Sequence, residues 1–314
     1  MVGNTGQAPI RIGIVGYGKI ARDQHVPALA ALPELDLVAI ADPATRHELL
    51  PSYCSLSELL AAQPDLDAVA LCMPPGPRAA IARQAIAAGK HVFLEKPPAL
   101  DIPEAEALAC LARNAGVTLF AAWHSRMAAG VAPARAFLAT RTVREIRIIW
   151  KEDVRVWHPG QKWILQENGF GVFDPGINAL SILTGIIAEP VRVKVATLQT
   201  PANFTEPIAA DLGMVSHSGV QIDAAFDFRQ TGPQSWDIVI ETGAETLTLQ
   251  NGGNRLLIDD IEQETGPEQE YIGLYQHFAD LIAHGKSDVD VAPLALVHEA
   301  LSIGTRQVTA PFDF

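Results

Sequence analysis

The sequence has few cysteines, few basic residues and no long apolar run. Three cysteines, Cys54, Cys72 and Cys110, occur in 314 residues without a C-x-x-C pair, and we expect them to be reduced and buried. No apolar run reaches the length of about 18 residues that a membrane-spanning helix needs. The formal net charge of −13 disfavours nucleic acid and anionic membranes as partners, because both are negatively charged.

A targeting signal is also lacking. Residues 1–9 contain neither a basic segment nor an apolar one, and we expect a loose leader instead of a signal peptide. This leader and the reduced thiols predict a cytoplasmic protein. The 48% hydrophobic and 19% charged residues are typical of packed globular proteins, and the length favours two domains.

The first part of the chain alternates short apolar segments with helical ones. Continuous apolar runs of this kind predict strands that are buried on both faces of a parallel, doubly wound sheet. Residues 1–124 are therefore predicted to form a Rossmann dinucleotide-binding domain. The predicted strands are Ile10–Val15, Leu35–Ala41, Ala68–Cys72, His91–Leu94 and Thr118–Ala122.

After residue 124 the segments are longer, and polar and apolar residues alternate in them. Residues 125–314 are predicted to form an α+β domain with a large, mostly antiparallel sheet, which binds substrate and mediates oligomerisation. We expect the last helix, at about 293–307, to pack back on the first domain. If the sheet face without helices is apolar, a homodimer would cover it.

A glycine fingerprint, G-x-G-x-x-A, lies directly between the first strand and the following helix. Gly16 makes the tight turn, Gly18 lets a pyrophosphate approach the backbone, and Ala21 lets the helix pack closely on the strand. The helix N-terminus, with Lys19 and Ile20, faces the phosphates. This context predicts a nicotinamide dinucleotide cofactor.

Asp42, at the end of the second strand, is the candidate ribose-binding carboxylate. Its charge would repel a 2′-phosphate, so NAD is predicted, although nearby Arg46 leaves NADP possible. The alternative role for Asp42 is to form a turn before Pro43. Two further residues complete the predicted cofactor site. Pro74 comes after the third strand, and Glu95 lies at the C-terminal end of the fourth.

The triplet Glu95-Lys96-Pro97 carries a resemblance to a known family. Together with the glycine fingerprint and the segment 171–180, it resembles the Gfo/Idh/MocA oxidoreductases, over essentially the whole chain from Ile10 onward. In that family the lysine of the triplet reaches the substrate hydroxyl beside the nicotinamide. The resemblance therefore implies a catalytic role for Lys96, against the alternative of a solvated surface lysine.

A second family motif, Gly-Gly-x-x-x-Asp-x-Gly-x-His, is altered in this chain. Asp174 is retained, but Asn178 replaces the histidine. Asparagine does not titrate, so proton removal falls to Asp174, to Lys96 or to the pair, and Asn178 can only orient a hydroxyl. Residues four apart share a helix face, so Asp174 and Asn178 can face one ligand. The alternative role for Asp174 is to cap the helix before Pro175.

Longer strings narrow the resemblance to one group of this family, the bacterial L-arabinose/D-galactose 1-dehydrogenases. The strings are 123–126, 151–155, 157–161 and 172–181. The resemblance implies oxidation of an aldopyranose at its anomeric carbon to a lactone, with NAD or NADP. It also implies a small sugar as the partner, without nucleic acid or membrane, and a homo-oligomer, namely a dimer.

Sugars present hydroxyls at their edges and C–H patches on their faces. Glu152 and His158 are therefore predicted to bind hydroxyls, and Trp157 or Trp236 to cover an apolar sugar face. His124, which follows the fifth strand, is a further candidate. Each has a structural alternative: a buried histidine, an ordinary strand aromatic, or an ion pair of Glu152 at a strand end. No metal site is predicted, because no histidine pair has the H-x-x-x-H spacing beside a helical carboxylate.

Two other functions stay open. One is a dehydrogenase or reductase that acts on a secondary hydroxyl of a sugar or inositol. The other is a non-catalytic sensor that binds dinucleotide and sugar. The presence of both Lys96 and Asp174 favours an enzyme over the sensor.

Overall fold

A computed structural model describes residues 8–314, so most of the leader predicted at residues 1–9 lies outside the described residues. The chain divides into two compact units. The first comprises residues 8–122 together with Tyr271–Asp290, and the second comprises Trp123–Glu270 together with Val291–Phe314. Within residues 8–314, no helix combines the length and the apolar character needed to cross a membrane.

The first unit contains a parallel sheet of six strands in the described part of the chain, in the order β3-β2-β1-β4-β5-β6. This is the strand order of the Rossmann fold, and it confirms the predicted fold class of this unit. The central strands are almost entirely buried because helices cover both faces of the sheet. The strands are β1 (Ile10–Val15), β2 (Leu35–Ala41), β3 (Ser52–Tyr53), β4 (Ala68–Leu71), β5 (His91–Glu95) and β6 (Leu119–Ala122).

The second unit contains a larger sheet, in the order β14-β13-β12-β11-β7-β10-β9-β8-β15. Most neighbouring strands are antiparallel, whereas the pairs β7–β10 and β8–β15 are parallel. The predicted mostly antiparallel sheet is thereby confirmed. Its strands are β7 (Val143–Lys151), β8 (Val191–Pro201), β9 (Ala209–Ser216), β10 (Gln221–Asp227), β11 (Ser235–Thr242), β12 (Thr246–Gln250), β13 (Arg255–Ile258), β14 (Ile261–Glu262) and β15 (Thr305–Thr309).

The helices follow the predicted alternation. In the first unit a π-helical turn, Ala21–His25, continues into α1. The side chains of Ser55 and Asp101 cap α2 and α4, each accepting a hydrogen bond from the backbone N–H three residues further on. The α-helices are α1 (Val26–Ala30), α2 (Leu56–Ala62), α3 (Pro75–Ala87), α4 (Ile102–Ala115), α5 (Val131–Leu138), α6 (Val154–Trp157), α7 (Phe173–Ile186), α8 (Glu270–Ala283) and α9 (Ala292–Ile303).

The end of the chain differs from the prediction. Of the last two helices, α8 lies almost entirely in the first unit. Helix α9, which was expected to pack there, instead packs on α7 and β8 of the second unit. The predicted helix at 293–307 is also too long, because it ends before Gly304, whose backbone is extended. Thr305–Thr309, rich in β-branched residues, instead forms β15.

Two of the three cysteines are exposed, so the expectation of buried thiols is wrong for them. Cys54 lies just before Ser55, the residue that caps α2, and loops of this kind face solvent. Cys110 lies on the exposed side of α4, whereas the buried residues of this helix are Ala105, Leu108 and Ala112. Cys72 is buried as expected, and burial raises the pKa of its thiol well above the ordinary value.

Candidate active site

The two glycines of the turn after β1 have different surroundings. Gly16 lies close to a neighbouring backbone, whereas Gly18 borders open space. Gly16 directly follows β1 and has a φ of +89°, and a Cβ there would lie 2.6 Å from the backbone nitrogen of Met73. A Cβ on Gly18 would meet no atom within 4 Å. Gly16 is thus required by the fold, whereas the space at Gly18 suits the pyrophosphate of a dinucleotide.

The helix after this turn begins at Lys19, so its first backbone N–H groups lie next to the open space at Gly18. Lys19 forms an ion pair with Asp23, four residues further along the helix. Ile20 is partly exposed, and Ala21 is fully buried against the sheet, as the fingerprint predicts. The described residues therefore fit the phosphate-binding part of a dinucleotide site.

Asp42, directly after β2, organises the same edge of the sheet. Its Oδ2 accepts a hydrogen bond of 2.8 Å from Tyr17 N, and its Oδ1 accepts hydrogen bonds from the backbone of Ala44 and Thr45. Burial raises the pKa of this carboxyl, but the three backbone donors outweigh burial and hold the pKa below its ordinary value. Asp42 therefore forms the turn that was its alternative role, and it remains half-buried with carboxylate lone pairs left for a ribose.

Arg46 bears on the choice between NAD and NADP. Its Nη1 donates to the backbone oxygen of Asp42 at 2.6 Å, and its Nη2 donates to Cys54 Sγ at 2.9 Å. The guanidinium is therefore already engaged beside Asp42, although it is exposed. A 2′-phosphate would have to draw Arg46 away from these partners.

The segment that carries Lys96 follows β5 at the same edge of the sheet. The Glu95 side chain is only 4% exposed, and its Oε2 accepts a hydrogen bond of 2.9 Å from Lys96 N. Its Oε1 is reached by His25 and Tyr271. Glu95 thus points into the first unit and acts on the backbone of Lys96, and the predicted direct contact with the cofactor stays a prediction. Pro74 lies exposed after β4, where it precedes α3.

A polar cluster occupies the end of β7 in the second unit. His158 Nε2 lies 3.3 Å from Glu152 Oε1 and 3.9 Å from Asp174 Oδ2. The other oxygen of Glu152, Oε2, accepts a hydrogen bond of 2.9 Å from Trp236 Nε1. The structure therefore brings together four predicted site residues from three separate parts of the chain.

Glu152 is the buried member of this cluster, with an exposure of 3%. Its Oε1 has no hydrogen-bond donor among the described residues, because the imidazole of His158 is close but not aligned for a hydrogen bond. A buried carboxylate oxygen without a donor is costly, so a ligand hydroxyl would stabilise it. The alternative of an ion pair with Lys151 or Arg155 is not what the structure shows, since Arg155 pairs with Asp153.

Aromatic rings lie beside these polar groups. The ring centroids of Trp157 and Trp236 are 4.6 Å apart, and Trp236 also stacks on Trp150 at 5.9 Å. Trp157 is 41% exposed, which is unusual for a tryptophan packed against another ring. An exposed indole next to buried carboxylate oxygens provides both kinds of contact that a pyranose needs.

Helix α7 presents Asp174 and Asn178 together. Both are partly exposed on an otherwise buried stretch, as the spacing of four residues predicts. The side-chain amide of Asn178 makes no hydrogen bond within residues 8–314, while its backbone oxygen accepts one from Ser181. Asp174 is not the N-cap, because the helix begins at Phe173 and Val172 occupies the cap. The capping alternative for Asp174 is therefore wrong.

The loop before α7 is conformationally strained. Phe170 is buried and has a φ of +68°, a region that bulky residues rarely adopt. A Cβ on Gly169 would lie 2.2 Å from the backbone oxygen of Trp163, and one on Gly171 2.2 Å from that of Pro207. These contacts determine where α7 begins and hence where Asp174 lies.

His124 belongs to another polar pair in the second unit. Its Nδ1 lies 2.6 Å from Glu270 Oε2, so the histidine is held by a carboxylate from the residue that opens α8. It is partly exposed, which is not the environment of the fully buried histidine considered as the alternative. Its predicted role in sugar binding stays a prediction.

Sequence reasoning missed the residues that surround Glu95, namely His25, Tyr271, Tyr275 and Arg78. His25 follows the glycine fingerprint by a few residues, and the two tyrosines are four apart on α8. The spacing of the tyrosines could have indicated one buried helix face with two hydroxyls. No local pattern connects that face to β5.

Comparison with known proteins extends these observations. The family described as oxidoreductases with an NAD-binding Rossmann fold, GFO_IDH_MocA, matches residues 10–123. The galactose 1-dehydrogenase of Pseudomonas fluorescens is 46% identical over 306 residues, which cover 97% of this chain and 99% of the relative. A crystal structure of a D-galactose-1-dehydrogenase protein from Rhizobium etli superposes with a TM-score of 0.94 at 50% identity, covering 98% of this chain and 99% of the other.

More distant structures share the fold. A 3-ketoreductase from Actinomadura kijaniata, in complex with NADP and TDP-benzene, superposes with a TM-score of 0.83 at 19% identity. The alignment covers 96% of this chain and 99% of that one. At this level of identity the similarity shows the fold alone.

Gly16→Ala and Gly18→Ala should separate folding from cofactor binding. Gly16→Ala should lower the unfolding temperature, because its Cβ meets the backbone of Met73 and its φ is positive. Gly18→Ala should leave the unfolding temperature near wild type but weaken NAD binding, because the methyl group enters the open space. Thermal unfolding and NAD titration by calorimetry measure the two effects. Equal NAD affinity in Gly18→Ala and wild type would contradict the assigned position of the pyrophosphate.

Proposed function

We propose that this chain, a member of the Gfo/Idh/MocA family of oxidoreductases, oxidises D-galactose or L-arabinose at the anomeric carbon. The chain is an NAD(P)-dependent sugar dehydrogenase. The product is the aldonolactone. The observation that carries the proposal is the cluster of Glu152, His158 and Asp174 beside the exposed indole of Trp157. The full-length similarity to proteins named galactose 1-dehydrogenase supports the same substrate class.

The first unit would hold the cofactor along the carboxyl ends of its strands. Gly18 and the backbone N–H groups that begin with Lys19 and Ile20 bind the pyrophosphate, and Asp42 binds the ribose hydroxyls. When bound, NAD supplies the hydride acceptor. The charge of Asp42 favours NAD over NADP, and the partners of Arg46 oppose its recruitment by a 2′-phosphate. Pro74 lies at the same edge.

Proton transfer is the task of this chain's own side chains. As the anomeric C–H bond gives up its hydride, the anomeric hydroxyl loses its proton to a carboxylate oxygen of Asp174, and the C–O bond becomes a carbonyl. Lys96 is the second candidate group for proton transfer. Asn178, which has no proton to give or take near neutral pH, orients the sugar by hydrogen bonds.

Recognition of the sugar rests on the rest of the cluster. Glu152 Oε1 accepts a hydrogen bond from a ring hydroxyl, which satisfies this buried oxygen. His158 binds an adjacent hydroxyl, Trp157 and Trp236 cover the C–H face, and His124 adds a further polar contact. D-Galactose carries a hydroxymethyl group that L-arabinose lacks. None of the residues proposed above binds this group, so we propose that both sugars are oxidised.

A homodimer through the open face of the larger sheet is a further part of the proposal. This face carries a groove of about 410 Å³ lined by Arg147, Lys151, Val195, Asp211 and Asp223, among others. The face is therefore mixed in character and not the apolar face considered from the sequence. Val195 is 60% exposed between charges of both signs, and a two-fold interface can pair such charges with one another.

Asp174→Asn should abolish most turnover while leaving cofactor binding intact. We expect a loss of about 10²–10⁴-fold in kcat, typical of a lost general base, with an unchanged dissociation constant for NAD. The assay is the absorbance of reduced nicotinamide with D-galactose, L-arabinose and inositols, each with NAD and with NADP. Glu167→Gln, at an exposed position in the same unit, is the matched control and should retain full activity.

Three results would contradict this function. Full activity of Asp174→Asn would exclude Asp174 as the proton acceptor. Reduction of NAD by inositols in preference to aldoses would indicate oxidation of a secondary hydroxyl. NAD binding without turnover of any sugar would indicate the sensor.

Val195→Glu should test the dimer. The added charge would lie on the open face, on β8 beside the edge strand β15, so we expect the wild type to sediment as a dimer and the variant as a monomer with the same circular dichroism spectrum. Sedimentation velocity at micromolar concentration measures this. A monomeric wild type, or a dimeric variant, would contradict an interface at this face.

A further inference from the structure

Glu95 is a buried carboxylate in the first unit, one residue before Lys96. Its Oε1 accepts hydrogen bonds from the Tyr271 hydroxyl at 2.7 Å and from the His25 imidazole Nε2 at 3.0 Å. Its Oε2 accepts a hydrogen bond from Lys96 N at 2.9 Å. These donors suit the ionised form, which accepts at both oxygens and donates at neither.

His25 is itself fixed on its other side. Its Nδ1 lies 2.7 Å from the Tyr275 hydroxyl, and its ring is fully buried. A carboxylate can only accept, so Nε2 is the donor in the pair with Glu95, and Nδ1 faces the Tyr275 hydroxyl. The network therefore joins the π-helical turn after the glycine fingerprint, the end of β5 and one face of α8. π-Helical turns are frequent at functional sites.

A second set of contacts holds the same peptide segment from the other side. Arg78, on α3, is 2% exposed and donates from Nη1 to the backbone oxygens of Glu95 and Pro97. Its Nη2 donates to the backbone oxygen of Met73. The N–H of Lys96 and the carbonyl groups on both sides of it are thus all bound by buried side chains.

The composition of this region argues against a purely stabilising role. The network lies within an aromatic cluster, where Phe93 stacks on Tyr275 with centroids 4.7 Å apart and contacts Phe278 edge-on. Apolar side chains would fill such a site at no desolvation cost, and buried polar networks are often no more stable than well-packed hydrophobic replacements. The polar groups instead bind the backbone of the short segment 95–97, which contains Lys96.

We propose that Glu95, held by His25 and Tyr271, is a positioning residue that fixes the backbone of Lys96 and thereby aims its ammonium group. A lysine side chain has four rotatable bonds, so its reach is defined only if its backbone is rigid. This inference rests on the proposed function for the role of Lys96. The rigidity of the segment is a property of the protein without ligands and can be measured separately.

The test compares Tyr271→Phe and Glu95→Gln with a matched control on the same helix, Phe278→Leu. Tyr271→Phe removes one hydroxyl and should lower kcat by about tenfold or more, the effect of losing a hydrogen bond to a charged group. The KM for the sugar and the dissociation constant for NAD should stay close to wild type. Phe278→Leu should lower the unfolding temperature at least as much, but keep kcat.

Hydrogen–deuterium exchange of the protein without cofactor provides the second readout. In Tyr271→Phe the peptide that contains Lys96 should exchange faster than in wild type, whereas in Phe278→Leu it should not. Unchanged exchange and unchanged kcat in Tyr271→Phe would overturn the proposal, and so would an equal loss of kcat in Phe278→Leu. If Glu95→Gln does not fold, Tyr271→Phe decides alone.

Lys96→Met distinguishes the two levels of the argument. An active Lys96→Met would overturn the proposed role of the lysine and, with it, the positioning of its side chain. An inactive Lys96→Met together with a fully active Tyr271→Phe would overturn the positioning network only.

Discussion

All strands of the first sheet run in the same direction, so their carboxyl ends meet at one edge. Because helices bury the strands on both faces, polar residues can enter this sheet mainly where strands end. Gly16 follows β1, Asp42 follows β2, Pro74 lies after β4 and Lys96 follows β5. The shared position of these residues at one edge of the sheet is a consequence of this single constraint. The turns after β1 and β2 are joined by hydrogen bonds from Gly16 N to the Ala41 oxygen and from Tyr17 N to Asp42 Oδ2.

Two buried carboxylates show how the chain uses burial in different ways. Glu95 is satisfied by donors from three elements and holds the backbone next to it. Glu152 is satisfied on one oxygen by Trp236 and has no aligned donor for the other. A buried carboxylate that accepts hydrogen bonds at both oxygens stabilises one fixed geometry. A buried carboxylate with an oxygen that has no donor can gain a hydrogen bond when a ligand binds. The first unit thus holds the backbone N–H of Lys96 by a buried carboxylate, and the second has a buried carboxylate oxygen that a hydroxyl of a ligand could satisfy.

The sequence predicts local features well because they depend on neighbouring residues. The turn at Gly16 and the shared face of Asp174 and Asn178 follow from spacing alone. The contacts of Glu95 with Tyr271 and of Glu152 with Trp236 do not, because they join residues far apart in the chain whose approach depends on the packing of whole elements. The return of α8 to the first unit is of the same kind. The start of α7 at Phe173 was missed because it depends on the strained backbone at Phe170, which no helix-start signal reveals.

In the proposed reaction, the C–H bond that breaks is the one at the anomeric carbon. The most direct measurement uses D-galactose and L-arabinose labelled with deuterium at C1, with NAD as the acceptor, followed by mass spectrometry of both products. The account predicts that deuterium moves to the nicotinamide ring and that the lactone carries none. Reduced NAD without deuterium, together with a sugar product that keeps its label, would show oxidation at another carbon and contradict the account.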